Sequence, residues 1–163
     1  MALRNIVTVG DPILGKPCRK VILFDKKLHT LLDDMADTLY ESNGVGLAAP
    51  QVGILRRVVL VDAGEELLEL INPEIIHTEG EQTGLEGCLS VPGKYGIVTR
   101  PMKATVRAQD RYGDWFEVEG EELIARCFCH ELDHLDGHLY TEKAERMLTP
   151  EELEEMMSEE DGE

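Results

Sequence analysis

The segment Glu121–Tyr140 reads "EELIARCFCHELDHLDGHLY", and its spacing organises the rest of the chain. Leu123, Cys127, His130 and His134 follow at steps of four, three and four, which returns their side chains to one face of an α-helix. That face begins apolar and ends in two imidazoles, so the helix must pack on a partner surface with a polar site at one end. His130 and His134, one turn apart, can direct both rings at a single divalent cation. Glu131 falls at the edge of the same face, where its carboxylate can reach a water on the cation without being a ligand. This is the H-E-x-x-H arrangement of metal-assisted hydrolysis.

A catalytic metal usually has three protein ligands and one open position, so a third ligand is needed. His138 is the obvious candidate, but at about 1.5 Å per residue it lies roughly 12 Å along the axis from His130. Gly137 also predicts that the helix stops first, in the left-handed conformation glycine favours, which leaves His138 in a turn or on the surface. The longer zinc-protease pattern H-E-x-x-H-x-x-G-x-x-H matches as far as Gly137 and fails at Tyr140, where its third histidine should stand. Cys127 shares the face, yet its axial offset puts it about 7.5 Å from the midpoint of the two histidines. "GLEGCLSVPG", Gly84–Gly93, offers two more candidates: Cys88, a soft thiolate on a glycine-rich loop, and Glu86, a carboxylate. Local spacing does not separate these two.

Elsewhere the chain reads mainly as sheet. "DKKLHTLLDDMADTLYES", Asp25–Ser42, places Leu28, Leu31, Leu32, Met35 and Leu39 at three- and four-residue steps behind an aspartate N-cap, which predicts an amphipathic helix. "ILRRVVLVD" (54–62) and "ELLELINPEII" (66–76) are strand-like runs separated by a glycine turn, and "KATVRAQDRYGDWFEVEG" (103–120) reads as a hairpin about Tyr112–Asp114. The expected fold class is α+β, a mainly antiparallel sheet packed around a central helix that carries H-E-x-x-H.

One domain suffices for 163 residues that are 42% hydrophobic and 30% charged. The last thirteen residues hold eight acids and no base, nearly half of the net charge of -17. They predict a flexible acidic tail, 149–163, behind a catalytic domain, 1–148. This balance disfavours direct nucleic-acid binding, which depends on Lys and Arg. No run approaches about eighteen apolar residues, and "MALRNIVTVGDPILGK" has no signal or transit character, so a cytoplasmic protein without membrane attachment is expected. Cys18, Cys88, Cys127 and Cys129 are too irregularly spaced for a disulfide framework; reduced, they can ligate.

"NGVGLAAPQVG", Asn43–Gly53, combines three glycines, small apolar residues and one amide, Gln51. It lacks the G-K-[ST] of a phosphate loop and the spacing of a dinucleotide fingerprint. Its core "GVGLAAPQVG", followed by "EGCLS" and "HELDH" in this order, resembles the three motifs of the bacterial peptide deformylases, and the likeness runs from about Val9 to Leu148. The resemblance implies a metallohydrolase of N-terminal methionine processing in protein biosynthesis. Such an enzyme removes the formyl group from the formyl-methionyl end of nascent peptides as formate. It implies Cys88, His130 and His134 as ligands of Fe²⁺, with Zn²⁺, Ni²⁺ or Co²⁺ able to substitute. It also implies Glu131 as proton carrier, and the Gln51 amide with the Leu89 N–H as oxyanion donors.

Gly44, Val45, Gly46 and Gly87 would hold the extended peptide, with Val45, Leu123 and Cys127 walling a methionine pocket. Glu86 would pair with Arg100 and brace the cysteine segment, while Asp133 would serve a histidine N–H or the helix surface. A monomer with at most a transient ribosome contact is expected. Three positions depart from the family's frequent pattern: Cys129 in place of Gln, Tyr95 where some members have Arg, and an acidic tail where some carry a basic helix that meets the ribosome. Two other readings compete. A metallopeptidase would need a third His or Glu ligand; a structural metal module would close its site with Cys127, Cys129, His130 and His134.

Overall fold

The run Val58–Val61 is apolar at every position, and such a run is stable as a strand only with cover on both faces. The fold supplies that cover. The structure, a computed structural model, describes residues 2–64 and 66–161, with side chains as far as residue 156. Helix α1 (Lys26–Glu41) precedes strands β1 (Gly46–Ala48), β2 (Val58–Asp62), β3 (Leu67–Glu79), β4 (Gln82–Cys88), β5 (Val91–Arg100), β6 (Lys103–Gln109) and β7 (Trp115–Glu121). Helix α2 (Leu123–Leu135), strand β8 (Arg146–Met147) and helix α3 (Pro150–Asp161) complete the chain. The strands form a five-stranded sheet in the order β1-β2-β3-β6-β7 and a three-stranded sheet β4-β5-β8, every pairing antiparallel.

Alternation along β2 divides the core. Val58 and Leu60 join Leu28, Leu32, Met35 and Leu39 of α1, whereas Val59 and Val61 join Ala125, Phe128, Leu132 and Leu135 of α2. Each fully buried leucine or valine contributes about 1.5–3 kcal/mol of apolar burial, so these two interfaces fix both helices on the larger sheet. Asp25 caps α1, its Oδ1 accepting from the Leu28 N–H at 3.1 Å.

Helix α2 is buried from Ala125 to Leu132 and again at His134 and Leu135. It reaches the small sheet as well: Arg126 Nη1 donates to Val98 O at 3.1 Å, and His130 Nδ1 lies 2.7 Å from Glu86 Oε2. Gly137, at φ +83°, ends the helix as its sequence predicts, and a Cβ there would meet Gly15 O at 2.7 Å.

Four expectations about elements need correction. Ile54–Arg57 lie ahead of β2, and β3 runs on to Glu79 through a register shift at Pro73, which has no N–H for the ladder. The hairpin turn begins earlier than Tyr112, at Asp110, whose Oδ1 accepts from the N–H groups of Tyr112 and Asp114 at 2.9 and 3.1 Å. Gly84–Gly93 is not a loop: it is the end of β4, a two-residue turn and the start of β5, with a register shift between Gly87 and Cys88. Asn43–Gly53 contains β1 and a 3₁₀ turn at Ala49–Val52.

Candidate metal centre and active site

Cys88 at the end of β4 and two histidines one turn apart on α2 meet where the small sheet closes over the helix. One donor atom from each of Cys88, His130 and His134 falls within 4.8 Å of the others. Cys88 Sγ is 3.4 Å from His134 Nε2, and it accepts from the Ser90 N–H at 3.4 Å. Glu86, the rival ligand, faces the other side of His130. Its carboxylate, 4% exposed, accepts from Arg100 Nε at 3.2 Å, Arg100 Nη2 at 2.7 Å and Arg126 Nη1 at 2.9 Å. A carboxylate only accepts, so Nδ1 of His130 donates to it and the Nε2 lone pair is left for a metal. One thiolate and two imidazoles make a donor set that fits a divalent transition metal with an open position.

The surrounding charges bear on each group. Burial alone would raise the Glu86 carboxyl, but the hydrogen bonds from His130 and Arg100 outweigh it and hold it at about 2. Burial, with the charge of His130 beside it, pushes His134 down to about 3 and keeps its ring neutral. His130 is desolvated too, yet Glu131, Cys88 and Glu86 together raise it well above its ordinary value. A cation bound at Nε2 must displace that proton, so metal affinity is coupled to pH.

Glu131 is 4% exposed, and its Oε1 is buried with no hydrogen-bond partner. Burial lifts its carboxyl to about 7, near the range in which a proton carrier works best at neutral pH. Gly46 makes room for it: a Cβ at that position would come within 2.7 Å of Glu131 Oε2 and 2.5 Å of Cys127 Sγ. Gln51 is fixed by the Ala48 N–H, which donates to Oε1 at 2.9 Å, so Nε2 points at Ser90 Oγ, 3.1 Å away, and at Cys88 Sγ, 3.6 Å away.

Gly44, Val45, Gly46, Gln51, Gly87, Cys88, Leu89, His130 and Glu131 line a single cavity of about 540 Å³. Leu85, Leu123 and Cys127 add apolar wall. β1 and β4 both contribute residues to its lining, and each is the edge strand of its sheet. Cys127 and Cys129 lie outside the donor set, and burial raises both thiols. His138 is exposed beside Glu142, and Asp133 serves Arg100 and Lys143 rather than a histidine.

Three residues near the site went unread in the sequence. Ser90 holds Gln51; Tyr140 stacks on His130 with centroids 5.9 Å apart; Arg126 grips Glu86. Only Arg126 carried a signal, a charged residue four before His130 on a face that is otherwise buried.

The chain matches the family model described as polypeptide deformylase over residues 3–149. It is 62% identical over 148 residues to the peptide deformylase of Agathobacter rectalis, covering 91% of this chain and 94% of that one. The crystal structure of a peptide deformylase from Legionella pneumophila aligns with a TM-score of 0.84 at 43% identity, covering 98% of this chain and 92% of that one. A peptide deformylase from Synechococcus elongatus in complex with actinonin aligns at 0.84 with 37% identity, covering 95% and 84%.

Proposed function

The chain belongs to the polypeptide deformylase family, and from that premise we propose that Cys88, His130 and His134 hold the metal on which this family depends while Glu131 carries the proton. The enzyme removes the N-formyl group from the formyl-methionine that begins a new polypeptide and releases formate. The observation that carries the assignment of residues is the meeting of three ligand atoms within 4.8 Å beside a buried carboxylate oxygen that has no partner.

Fe²⁺ is the resident metal we infer, with Zn²⁺, Ni²⁺ and Co²⁺ able to replace it, since the donor set suits all four. Bound there, the cation supplies Lewis acidity that polarises both a water and the formyl carbonyl. Glu131 takes the proton from the attacking water at its carboxylate and later gives it to the departing amine. The tetrahedral oxyanion is met by the Leu89 N–H and by Gln51 Nε2, whose long 3.6 Å contact with Cys88 Sγ leaves one hydrogen available for it. The peptide enters as an added strand between the edges of β1 and β4, held by the backbone of Gly44, Val45, Gly46 and Gly87. Its methionine side chain rests on Val45, Leu123 and Cys127.

Residues 1–148 form the catalytic unit, with 149–163 an acidic appendage. Among the described residues no helix is long and apolar enough to cross a membrane. We infer action as a monomer in the cytoplasm, with any ribosome contact transient and not made through the tail. Formate release from a formyl-methionyl tripeptide, beside its unformylated twin, tests the reading on protein loaded with Fe²⁺ or Ni²⁺ without oxygen. Formate with the peptide bonds intact is expected, lost on chelation and restored by metal. Cleaved peptide bonds, or unfolding on chelation, would favour the metallopeptidase or structural-module reading instead.

A further inference from the structure

Glu86 accepts four hydrogen bonds, of which His130 supplies one and Arg100 two. Arg126 supplies the fourth. Its Nη1 donates to Glu86 Oε1 at 2.9 Å and to Val98 O at 3.1 Å, which ties the helix that carries both histidines to β4 and β5 of the small sheet. Arg126 is 8% exposed, and its Nη2 lies against Gly84, 3.6 Å from where a Cβ would be.

Arg100 holds both oxygens of the carboxylate, but unevenly. It donates to Oε2 at 2.7 Å but to Oε1 at 3.2 Å, and its Nη1 is committed to Asp133 at 2.8 Å. The Oε2 atom that Arg100 holds best is also the one that accepts from His130 Nδ1 at 2.7 Å. Without a second grip on Oε1, the carboxylate can rotate about Oε2 and take the imidazole with it. We propose that Arg126 is a positioning residue for the metal centre: it locks Glu86 from the Oε1 side, and Glu86 then fixes the ring orientation of His130. The proposal rests on the ligand assignment made above.

The loss of Arg126 need not unfold the chain. Arg100 still neutralises Glu86, and Lys143, 2.9 Å from Asp133, completes the charge balance of the cluster. Removing an outer partner of a ligating histidine typically lowers metal affinity about 10–100-fold.

The test measures the Co²⁺ dissociation constant by chelator competition, together with the thiolate-to-cobalt absorption bands, for wild type, R126M and R126K. R126M is expected to weaken Co²⁺ binding at least tenfold and to shift the bands, while R126K, which keeps one charged donor, stays within about threefold of wild type. If R126M does not fold, R126Q is measured by the same tenfold criterion. Unchanged affinity and spectrum in R126M or R126Q would overturn the proposal, as would equal weakening in R126K. A loss of melting temperature with affinity intact would mark Arg126 as structural only and would overturn it as well. C88S distinguishes the underlying assignment: if that variant keeps its cobalt, the ligand set is wrong, whatever Arg126 does.

Discussion

Glu131 and Gly46 have to be considered together, because the carboxylate lies where any side chain at Gly46 would put its first carbon. G46A therefore drives a methyl group to within 2.7 Å of Glu131 Oε2 and 2.5 Å of Cys127 Sγ, and the flexible carboxylate must yield. Misplacement of a reacting group by roughly 1 Å costs about 100-fold, so kcat/KM of G46A should fall by that order. Its metal content should stay near that of wild type, since none of the three donors is touched; activity within threefold of wild type would contradict this. At this scale the sequence was informative wherever chemistry restricts residue type. The two histidines and Glu131 could be read from spacing alone. Spacing alone did not separate Cys88 from Glu86; the family resemblance implied Cys88 as the ligand, and the structure turns Glu86 toward the far nitrogen of His130. Ser90 stayed illegible, and Arg126 showed only as a charge on a buried face with no partner to read, because their partners, Gln51 and Glu86, lie 39 and 40 residues away in the chain.

Helix α1 was legible because its pattern is local: an aspartate cap, then leucines at helical steps. D25A removes the acceptor for the Leu28 N–H and should lower stability by about 1 kcal/mol in urea unfolding, with deformylation unchanged. Strands β4 and β5 were illegible for the opposite reason. Their glycines and Pro92 read as loop residues, and only pairing with each other and with β8 makes a sheet of them. Helix α3 is built from the acidic segment and pairs with the body through Arg146 and Glu152, both on the surface. An exposed pair of this kind contributes little, so truncation after Thr149 should leave activity within about twofold and move the melting temperature only slightly. A large loss of activity on truncation would give α3 a catalytic role.

The whole molecule is two sheets with α2 held against both, and the fold keeps two of its thiols neutral. Burial raises Cys18 from 9.0 to about 11, against the pull of Arg57, and burial raises Cys127 in the same direction. A thiol whose folded value lies above its unfolded value stabilises fully below the unfolded value and loses that contribution as pH rises through the folded one. Urea unfolding should therefore show stability falling between pH 9 and about 11, and C18A should flatten the fall. The acid–base chemistry of Glu131 is tested most directly by a single variant, E131Q. Metal content and formate release from a formyl-methionyl tripeptide should be measured on the same E131Q sample beside wild type. Removing the proton carrier while leaving all three ligands should give a folded, fully metal-loaded protein whose deformylation is down at least about 100-fold. A metal-loaded E131Q that released formate at the wild-type rate would contradict the role of Glu131 and the mechanism built on it.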